Sequence, residues 1–431
     1  MTPFAILALY VALALLDLAW ALVLTALNYR HLAGRAGAVP EALGASVTEE
    51  EARKSASYSM AGMRLSFAAS PISTAIVIAA SISGLFGLLD AWAGSAASDQ
   101  YWRGALFLGA VLLAQAILSS PFSLYSTFVL EKRYGFNTTS PRTWLLDILK
   151  SALISAVLGL PLLGLLYAFI DSLGSLWWLV AAAAFSCINL VLSILYPLVI
   201  APLFNKFTPL REGPLATRIA ALAKRVGFRT SGIFVMDGSK RSRHSNAYFT
   251  GLGRAKRIVL YDTLVSSMSE DEILAVLAHE MGHWKKRHVL KMTSVSIAFS
   301  FLSFKILDLL MNWPALYAAF GFASASKHAI LLILGLVSGP ATFFLSPLFS
   351  AWSRKHEYQA DAFSVEALAS MASAADAFAV DQAGGKALSS ALVRLNRENA
   401  SNLWPQRLYS FWYYSHPTLV ERLAAIGEKS A

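Results

Sequence analysis

Cysteine and charged residues are both scarce in this chain. Its 431 residues include a single cysteine, Cys187, which excludes an intramolecular disulfide and a Cys-X-X-Cys site and argues against a cysteine nucleophile. Charged residues make up 14% of the chain, whereas about 25% is usual in soluble domains. Hydrophobic residues make up 56%. This composition argues against a disordered protein and against an ordinary soluble enzyme.

The hydrophobic residues are concentrated in long stretches. A helix needs about 20 apolar residues to cross a bilayer, and seven stretches reach that length: 4–27, 67–91, 103–121, 147–170, 176–200, 292–312 and 329–351. The first lacks a basic region and a small-residue cleavage site, so we predict a retained helix and not a signal peptide. The sequence therefore predicts a mainly α, polytopic membrane protein with seven transmembrane helices.

Loops with many basic residues alternate with loops that have few. This alternation predicts the orientation of the chain in the membrane. Lys and Arg are frequent in the first loop, the third loop, residues 201–291 and the C-terminal segment, and the other loops have one or none. Because cytoplasmic loops carry the excess of positive charge, we place the N-terminus outside and the C-terminus in the cytoplasm. The net charge of +10 then indicates contact with anionic lipids of the bilayer and not with nucleic acid, since no base-stacking module accompanies it.

The predicted spans divide the chain into four segments. Residues 1–200 hold transmembrane helices 1–5, and residues 292–351 hold helices 6 and 7. Residues 201–291 and 352–431 both lie on the cytoplasmic side, so we predict that they form one catalytic domain assembled from two pieces. Gly384-Gly385, within the last segment, predicts a flexible joint.

Residues 269–288 contain a motif typical of metal binding. Ser269 followed by Glu272 forms a capping box, which predicts the start of a helix. That helix contains His279-Glu280-Met-Gly-His283. Residues four apart share one helix face, so both imidazoles can bind one zinc ion while Glu280 handles a proton. The alternative is a pair of core histidines on an amphipathic helix, and the rarity of the motif favours the metal site.

A third ligand is expected directly after the last span. There Glu357 and Asp361 lie four residues apart, so Glu357 can complete a His2Glu set while Asp361 accepts the free ring N–H of His279. One alternative is a surface helix in which Arg354 pairs with Glu357. His356 is a competing ligand, but it points about 100° away from Glu357 on a helix.

These residues predict peptide-bond hydrolysis. One zinc ion per chain lowers the pKa of its bound water toward about 7 and polarises a carbonyl group. Glu280 then takes a proton from the water and passes it to the leaving nitrogen. Cobalt and manganese also suit a His2Glu set. An alternative from another class is a transporter or receptor with a regulatory zinc module, but such a module needs no glutamate between its histidines and usually has four protein ligands.

Several further motifs accompany the metal motif in a fixed order. They are Glu131-Lys-Arg-Tyr-Gly-Phe-Asn-Thr-Thr, Pro202-Leu-Phe-Asn-Lys-Phe-Thr-Pro-Leu, Asp237-Gly-Ser-Lys-Arg-Ser-Arg-His-Ser-Asn-Ala-Tyr-Phe and Ser415-His-Pro. Together they resemble the integral-membrane zinc CAAX prenyl protease family, type 1, among the gluzincin metallopeptidases. The resemblance implies seven helices enclosing a chamber, a zinc site at its cytoplasmic end, and cleavage near the C-terminus of a prenylated peptide.

The resemblance also assigns roles to residues. The family's zinc ligands fall on His279, His283 and Glu357, and its general base falls on Glu280. Its substrate and transition-state contacts fall on two further residues, Asn246 and His416.

The residues themselves also support the last two roles. Asn246-Ala-Tyr-Phe-Thr has strand character, which predicts a small β-sheet able to pair with an extended peptide. His416 can donate to the oxyanion that forms during cleavage. Alternatively, Asn246 caps a turn and His416-Pro417 initiates a helix. Arg422 is a candidate for holding a substrate carboxylate, and an ordinary surface charge is the alternative.

Two classes of natural substrate are consistent with the sequence. An alanine-rich composition and short loops suggest a bacterial member, located in the inner membrane. Because bacteria do not usually prenylate CAAX proteins, the substrate is either a prenylated peptide or another membrane-associated protein, such as a damaged membrane protein cleaved in quality control. Asp17, in the middle of the first span, either faces a hydrated chamber or pairs with a neighbouring helix.

Overall fold

Long helices form the first 200 residues of the protein. The computed structural model describes residues 1–251, 256–371 and 377–430. Four of the long helices follow a Thr, Asp or Ser whose side chain accepts a hydrogen bond from a backbone N–H of the first turn, a common N-terminal cap. The helices are α1 (Pro3–Ala33), α2 (Glu49–Ile82), α3 (Leu85–Ala96), α4 (Gln100–Tyr125), α5 (Pro141–Ser172) and α6 (Trp177–Leu195).

Shorter helices and four strands follow in the described part of the chain. The strands are β1 (Phe207–Pro209), β2 (Ile233–Met236), β3 (Ala247–Thr250) and β4 (Arg257–Tyr261). The helices are α7 (Pro214–Val226), α8 (Asp262–Ser267), α9 (Glu270–Lys285), α10 (His288–Met311), α11 (Pro314–Ala319), α12 (Lys327–Phe343), α13 (Ser346–Ala369), α14 (Ala377–Glu398), α15 (Arg407–Tyr413) and α16 (Leu419–Ser430).

The membrane-spanning helices agree with the predicted class of fold. Within the described ranges, six helical segments are long and apolar enough to cross a bilayer, and they contain α1, α2, α4, α5, α6 and α10. Helices α12 and α13 meet the same criterion only as a pair, with a bend of 62° between them. The prediction of a mainly α, multi-pass membrane protein with a small β-sheet is confirmed.

The second predicted span, 67–91, is interrupted. Helix α2 ends at Ile82, and Gly84 adopts a left-handed backbone with φ of 74° before α3 begins. Glycine tolerates this conformation, which ends a right-handed helix. Gly87 then lies so near the Gly321 backbone that a Cβ atom would sit 1.9 Å from the Gly321 carbonyl oxygen. Because hydrophobicity is continuous across the break, it does not reveal where the helix ends.

The seventh predicted span, 329–351, also contains a break. Helix α12 ends at Phe343, and α13 starts at Ser346 with Pro347 in its first turn. Proline has no N–H group and restricts the residue before it, so a helix rarely runs straight into it. Beyond the bend, α13 packs against α9.

The strands form one mixed sheet in the order β1-β2-β4-β3. Strand β2 pairs in parallel with β4, and both outer strands are antiparallel to their neighbours. The strand predicted after Asn246 is present as β3, which is an edge strand of this sheet and packs against α9. An edge strand has one row of backbone groups free to pair with another chain.

One hydrophobic core joins the two segments outside the predicted spans. It contains side chains from both sides of the last spans, among them Ile219, Leu260, Leu274, Val365 and Leu388. The flexible joint predicted at Gly384-Gly385 is wrong, because both glycines lie inside α14. A Cβ atom on Gly384 would lie 3.0 Å from the Val365 carbonyl oxygen. This glycine therefore allows α14 to pack closely on α13.

Candidate metal centre

Helix α9 carries the two histidines of the motif and starts where the capping box predicts. The Glu272 carboxylate accepts the Ser269 backbone N–H at 2.9 Å, and the Ser269 hydroxyl accepts the Glu272 N–H at 3.3 Å. These two bonds satisfy backbone donors that the first turn would otherwise leave unpaired. His279 and His283 follow on one face of the helix, one turn apart, and both face α13.

Three side chains converge between α9 and α13. The Nε2 atoms of His279 and His283 are 3.2 Å apart, and each lies within 3.4 Å of one Glu357 carboxylate oxygen. All of the candidate ligand atoms lie within 4.8 Å of one another. Glu357 is 4% exposed, and its buried Oε2 atom accepts no hydrogen bond from the described residues. The nearest cationic group is the Arg422 Nη1 atom, 3.8 Å from this oxygen and beyond hydrogen-bond distance. Two imidazoles and one buried carboxylate are a donor set that fits a divalent metal ion.

Gly282, inside the motif, lets the two helices approach closely enough for this convergence. A Cβ atom there would lie 3.0 Å from the Ala360 Cα atom and 3.1 Å from the Ala360 carbonyl oxygen. Nearby, the buried Ser364 hydroxyl donates a hydrogen bond of 2.8 Å to the Ala275 carbonyl oxygen. Close packing and this polar contact fix the distance between the helix that supplies the histidines and the helix that supplies Glu357.

Asp361 lies behind His279, in the position that the sequence analysis expects. Its Oδ1 atom is 2.8 Å from the His279 Nδ1 atom, which leaves Nε2 free for a metal. The Arg422 guanidinium binds both oxygens of Asp361 and is 11% exposed, so the surface-charge alternative for Arg422 is wrong. Burial opposes the charged imidazolium, but Asp361 and Glu357 outweigh it and raise the pKa of His279 to about 9. The same field that favours a proton on His279 favours a metal cation.

Glu280 lies between the two histidines on α9. Burial raises the pKa of its carboxyl group, while the neighbouring imidazoles oppose this effect. A carboxylate with a raised pKa is a stronger base than an ordinary glutamate, and its protonated form can return the proton as an acid. This environment suits both halves of the proton transfer that the sequence analysis assigns to Glu280.

His416 and Asn246 differ in how closely the structure places them to the metal ligands. The His416 Nε2 atom is 3.5 Å from Glu357 Oε1, and its side chain is 64% exposed toward a cavity of about 650 Å³. The Asn246 side chain is also exposed, and its Oδ1 atom accepts the backbone N–H of Ala247 at 2.8 Å. The structure therefore brings His416 to the ligands and leaves Asn246 at the start of the edge strand β3.

The two competing interpretations of the α13 residues do not match the structure. Arg354 donates to backbone carbonyl oxygens of the segment before His416, including that of Tyr414 at 2.7 Å, and not to Glu357. His356 is buried and stacks on His288 at 4.0 Å between ring centroids, and it is not among the three converging side chains. Glu357 is therefore the α13 residue that reaches the histidines.

A polar cluster that the sequence does not predict lies beside the His416 cavity. Tyr58 donates a hydrogen bond of 2.6 Å to Glu131, and Glu131 lies 3.4 Å from the His244 ring. The other ring nitrogen of His244 lies 3.0 Å from the Asn399 side chain. Glu131 and His244 both belong to the motifs that carry the family resemblance. Their presence in this motif set is the sequence signal that could have indicated a contact between them.

The comparisons with known proteins cover almost the whole chain. Residues 28–206 match the family described as "CAAX prenyl protease N-terminal, five membrane helices", and residues 209–430 match "Peptidase family M48". A CAAX prenyl protease 1 homolog from Oryza sativa is 35% identical over 93% of this chain and 92% of its own length. The human homolog is 33% identical over 90% of this chain and 88% of its own length. The crystal structure of S. mikatae Ste24p superposes with a TM-score of 0.88 at 32% identity, over 99% of this chain and all of that one.

The fold and the converging side chains together define a multi-pass membrane metallopeptidase. The chain belongs to the CAAX prenyl protease type 1 family, and it is a membrane-bound metalloendopeptidase that acts on peptides. The family resemblance drawn from the ordered motifs is thereby confirmed.

Proposed function

We propose that this protein is a zinc endopeptidase in which His279, His283 and Glu357 hold one zinc ion per chain. The observation that carries this proposal is the convergence of the three ligand atoms within 4.8 Å, around a buried carboxylate oxygen that accepts no hydrogen bond from the described residues. Zinc bound there supplies Lewis-acid activation of water and of the scissile carbonyl group. Three protein ligands would leave part of the metal's coordination open to water and substrate, as a catalytic site requires.

The residues around the ligands take the remaining roles. Glu280 accepts the proton of the attacking water and donates it to the leaving nitrogen. Asp361 holds the His279 ring so that Nε2 faces the ligand set, and Arg422 in turn holds Asp361. His416, exposed beside Glu357, donates to the oxyanion at the attacked carbonyl.

The edge strand β3 provides a place for the substrate backbone. A peptide in extended conformation adds to its free edge, and β3 packs directly against α9. Asn246, at the start of this strand, bonds to the peptide backbone. Arg422 is not assigned a substrate carboxylate here, because Asp361 already occupies its guanidinium.

We propose that the peptide reaches the site through a chamber between the membrane helices. We place the catalytic segments 201–291 and 352–431 in the cytoplasm, with the spanning helices enclosing a hydrated chamber above them. Asp17, halfway along α1, is partly buried and makes no ion pair with any residue of the described ranges, and we place it facing this chamber.

The substrate class follows from the relatives. Because several relatives that match most of this chain are named CAAX prenyl proteases, we propose cleavage near the C-terminus of a prenylated peptide. Matched farnesylated and unprenylated peptides test this proposal. We expect a large loss of kcat/KM without the lipid, and equal cleavage would favour the quality-control substrate instead.

The chemistry is tested with Glu280→Gln. We expect this variant to lose peptide cleavage while it keeps about one zinc per chain by metal analysis, because Glu280 is not a ligand. Glu270→Gln on the same helix is the matched control and should cleave normally, since Glu270 pairs with Arg218 at the opposite end of α9. Normal cleavage by Glu280→Gln would refute the mechanism. Metal-dependent transport without cleavage in the wild type would favour the transporter alternative.

A further inference from the structure

A second pair of residues stands behind the metal ligand His283. The Nδ1 atom of His283 lies 3.1 Å from the Nδ1 atom of His288, in the first turn of α10. The Nε2 atom of His288 lies 2.8 Å from the Oε1 atom of Gln359, on α13. His283, His288 and Gln359 therefore form a continuous line of hydrogen bonds that begins at the metal centre and ends two residues after Glu357.

The line of bonds has only one proton arrangement when His283 is a metal ligand. Its Nε2 atom faces His279 and Glu357, so this is the atom that binds the metal and its Nδ1 atom must carry the hydrogen. That hydrogen is donated to His288 Nδ1, which must then be the acceptor. The His288 hydrogen is left on Nε2, where the Gln359 carbonyl oxygen accepts it. Each donor meets one acceptor along the whole line.

The His288 ring is held rigidly in this position. It is 1% exposed, and it stacks almost parallel on His356, with 4.0 Å between centroids and 12° between planes. His356 in turn packs against Trp352, on the same helix α13. The ring therefore has little freedom to turn its nitrogen atoms away from His283 and Gln359.

The two metal histidines thus have different supports. The charged carboxylate of Asp361 holds His279, whereas a neutral imidazole and an amide hold His283. Hydrogen bonds of this kind orient a ligand and fix its tautomer, and their loss typically costs about 10–100-fold in metal affinity or activity.

We propose that His288 and Gln359 are positioning residues for the metal ligand His283: the line of bonds from Gln359 through His288 fixes the His283 ring with Nε2 toward the metal. This proposal rests on the metal site of the proposed function. It makes α10, the first helix to enter the membrane after the motif, part of the support of the catalytic centre.

A matched pair of variants tests the proposal, because His288 and His356 are stacked rings in one buried environment. His288→Phe keeps a stacked ring but removes both nitrogen atoms from the line. His356→Phe makes the same change in a ring whose nitrogen atoms take no part in it. In a chelator competition with zinc and the full-length protein in detergent, we expect affinity to fall about 10–100-fold for His288→Phe and to stay unchanged for His356→Phe.

Variants of Gln359 separate a role in positioning from a role in folding. Gln359→Leu removes the acceptor and should weaken zinc binding, whereas Gln359→Glu offers a carboxylate oxygen to the same His288 N–H and should restore it. Visible absorption of the cobalt-substituted protein reports the ligand geometry independently of cleavage. We expect a changed spectrum for Gln359→Leu and a wild-type spectrum for Gln359→Glu.

The outcomes distinguish the two proposals. If the wild type fails to bind zinc at His279, His283 and Glu357, the proposed function itself fails. If the wild type binds zinc and the His288→Phe and Gln359→Leu variants bind it equally tightly with an unchanged cobalt spectrum, the metal site stands and the positioning role is refuted. Should His288→Phe fail to fold, the two Gln359 variants alone decide the question.

Discussion

At the scale of single residues, the metal centre depends on how each ligand is supported. Sequence spacing shows that two histidines share a helix face, but it does not show which ring nitrogen faces the metal. Asp361 settles this for His279 by binding its Nδ1 atom at 2.8 Å. The same carboxylate also pairs with Arg422, a buried cation that has Glu357 as a second charged neighbour at 3.8 Å.

Replacing Asp361 should therefore weaken zinc binding in two ways. Asp361→Asn keeps the side-chain shape but removes the charge that favours the His279 N–H and pairs with Arg422. We expect a loss of about 10–100-fold in zinc affinity and in kcat/KM, measured by chelator competition and by peptide cleavage. Glu366→Gln, on the exposed side of α13, is the control. Unchanged affinity in Asp361→Asn would show that His279 needs no charged support.

The capping glutamate of α9 gives a prediction for pH. Burial opposes the ionised form of Glu272, but hydrogen bonds from Ser390 and Ser269 outweigh it and hold the pKa of Glu272 below its usual range. A carboxyl group with a lowered pKa stabilises the fold above its unfolded pKa of about 4.3, and the contribution disappears as the pH falls through the folded pKa.

We therefore expect Glu272→Gln to destabilise the protein by about 1 kcal/mol at pH 7, through loss of one charged acceptor. The difference in melting temperature from the wild type should shrink below about pH 4, as the wild-type carboxyl group takes up its proton. Thermal unfolding in detergent across this pH range measures it. A difference that stays constant down to pH 3 would contradict the assignment.

At the scale of helices and strands, the predictable features are those with a local cause. The start of α9 follows from Ser269 and Glu272, and the strand after Asn246 follows from its residue types. The breaks after Ile82 and Phe343 do not follow from hydrophobicity, because apolar residues continue across both. Gly384 shows the converse error: a glycine pair typical of a loop lies inside a helix, where it permits contact with α13.

Gly282 offers a test at this scale, because it sets the distance between α9 and α13. A Cβ atom at this position meets the Ala360 backbone at 3.0 Å, so Gly282→Ala forces the helices apart by a few tenths of an ångström. Gly282→Val needs a larger shift. We expect zinc affinity to fall in the order wild type, Gly282→Ala, Gly282→Val. Gly335→Ala in α12, where a Cβ atom meets nothing within 4 Å, is the control. Equal affinity in all four proteins would show that helix spacing does not limit the site.

At the scale of the whole molecule, motifs that are far apart in the sequence contact one another and connect the membrane helices to the catalytic segments. Arg241, in the motif after β2, binds both oxygens of Asp147 on α5 at 2.8 and 2.9 Å. Thr138 and Thr139 donate to the backbone of the same loop. The order of the motifs along the chain indicates the family. It does not predict these contacts, because each contact joins residues about 100 positions apart. The three-dimensional pairing of motifs is the part of the site that one sequence does not provide.

Metal removal tests how far the centre holds the molecule together. The ligands come from α9 and α13, which lie on opposite sides of the last spans along the chain, so a bound metal cross-links the two catalytic segments. A ligand that binds only the folded state stabilises it by RT ln(1 + [L]/Kd), about 4 kcal/mol at a thousandfold excess over Kd. Chelation should therefore lower the melting temperature of the wild type by several degrees, and zinc should restore it.

The Glu357→Gln variant is the control. It should show little response to either treatment, because its remaining two histidines bind the metal weakly. A wild type that melts at the same temperature with and without chelator would mean that the metal, if bound, does not connect α9 to α13.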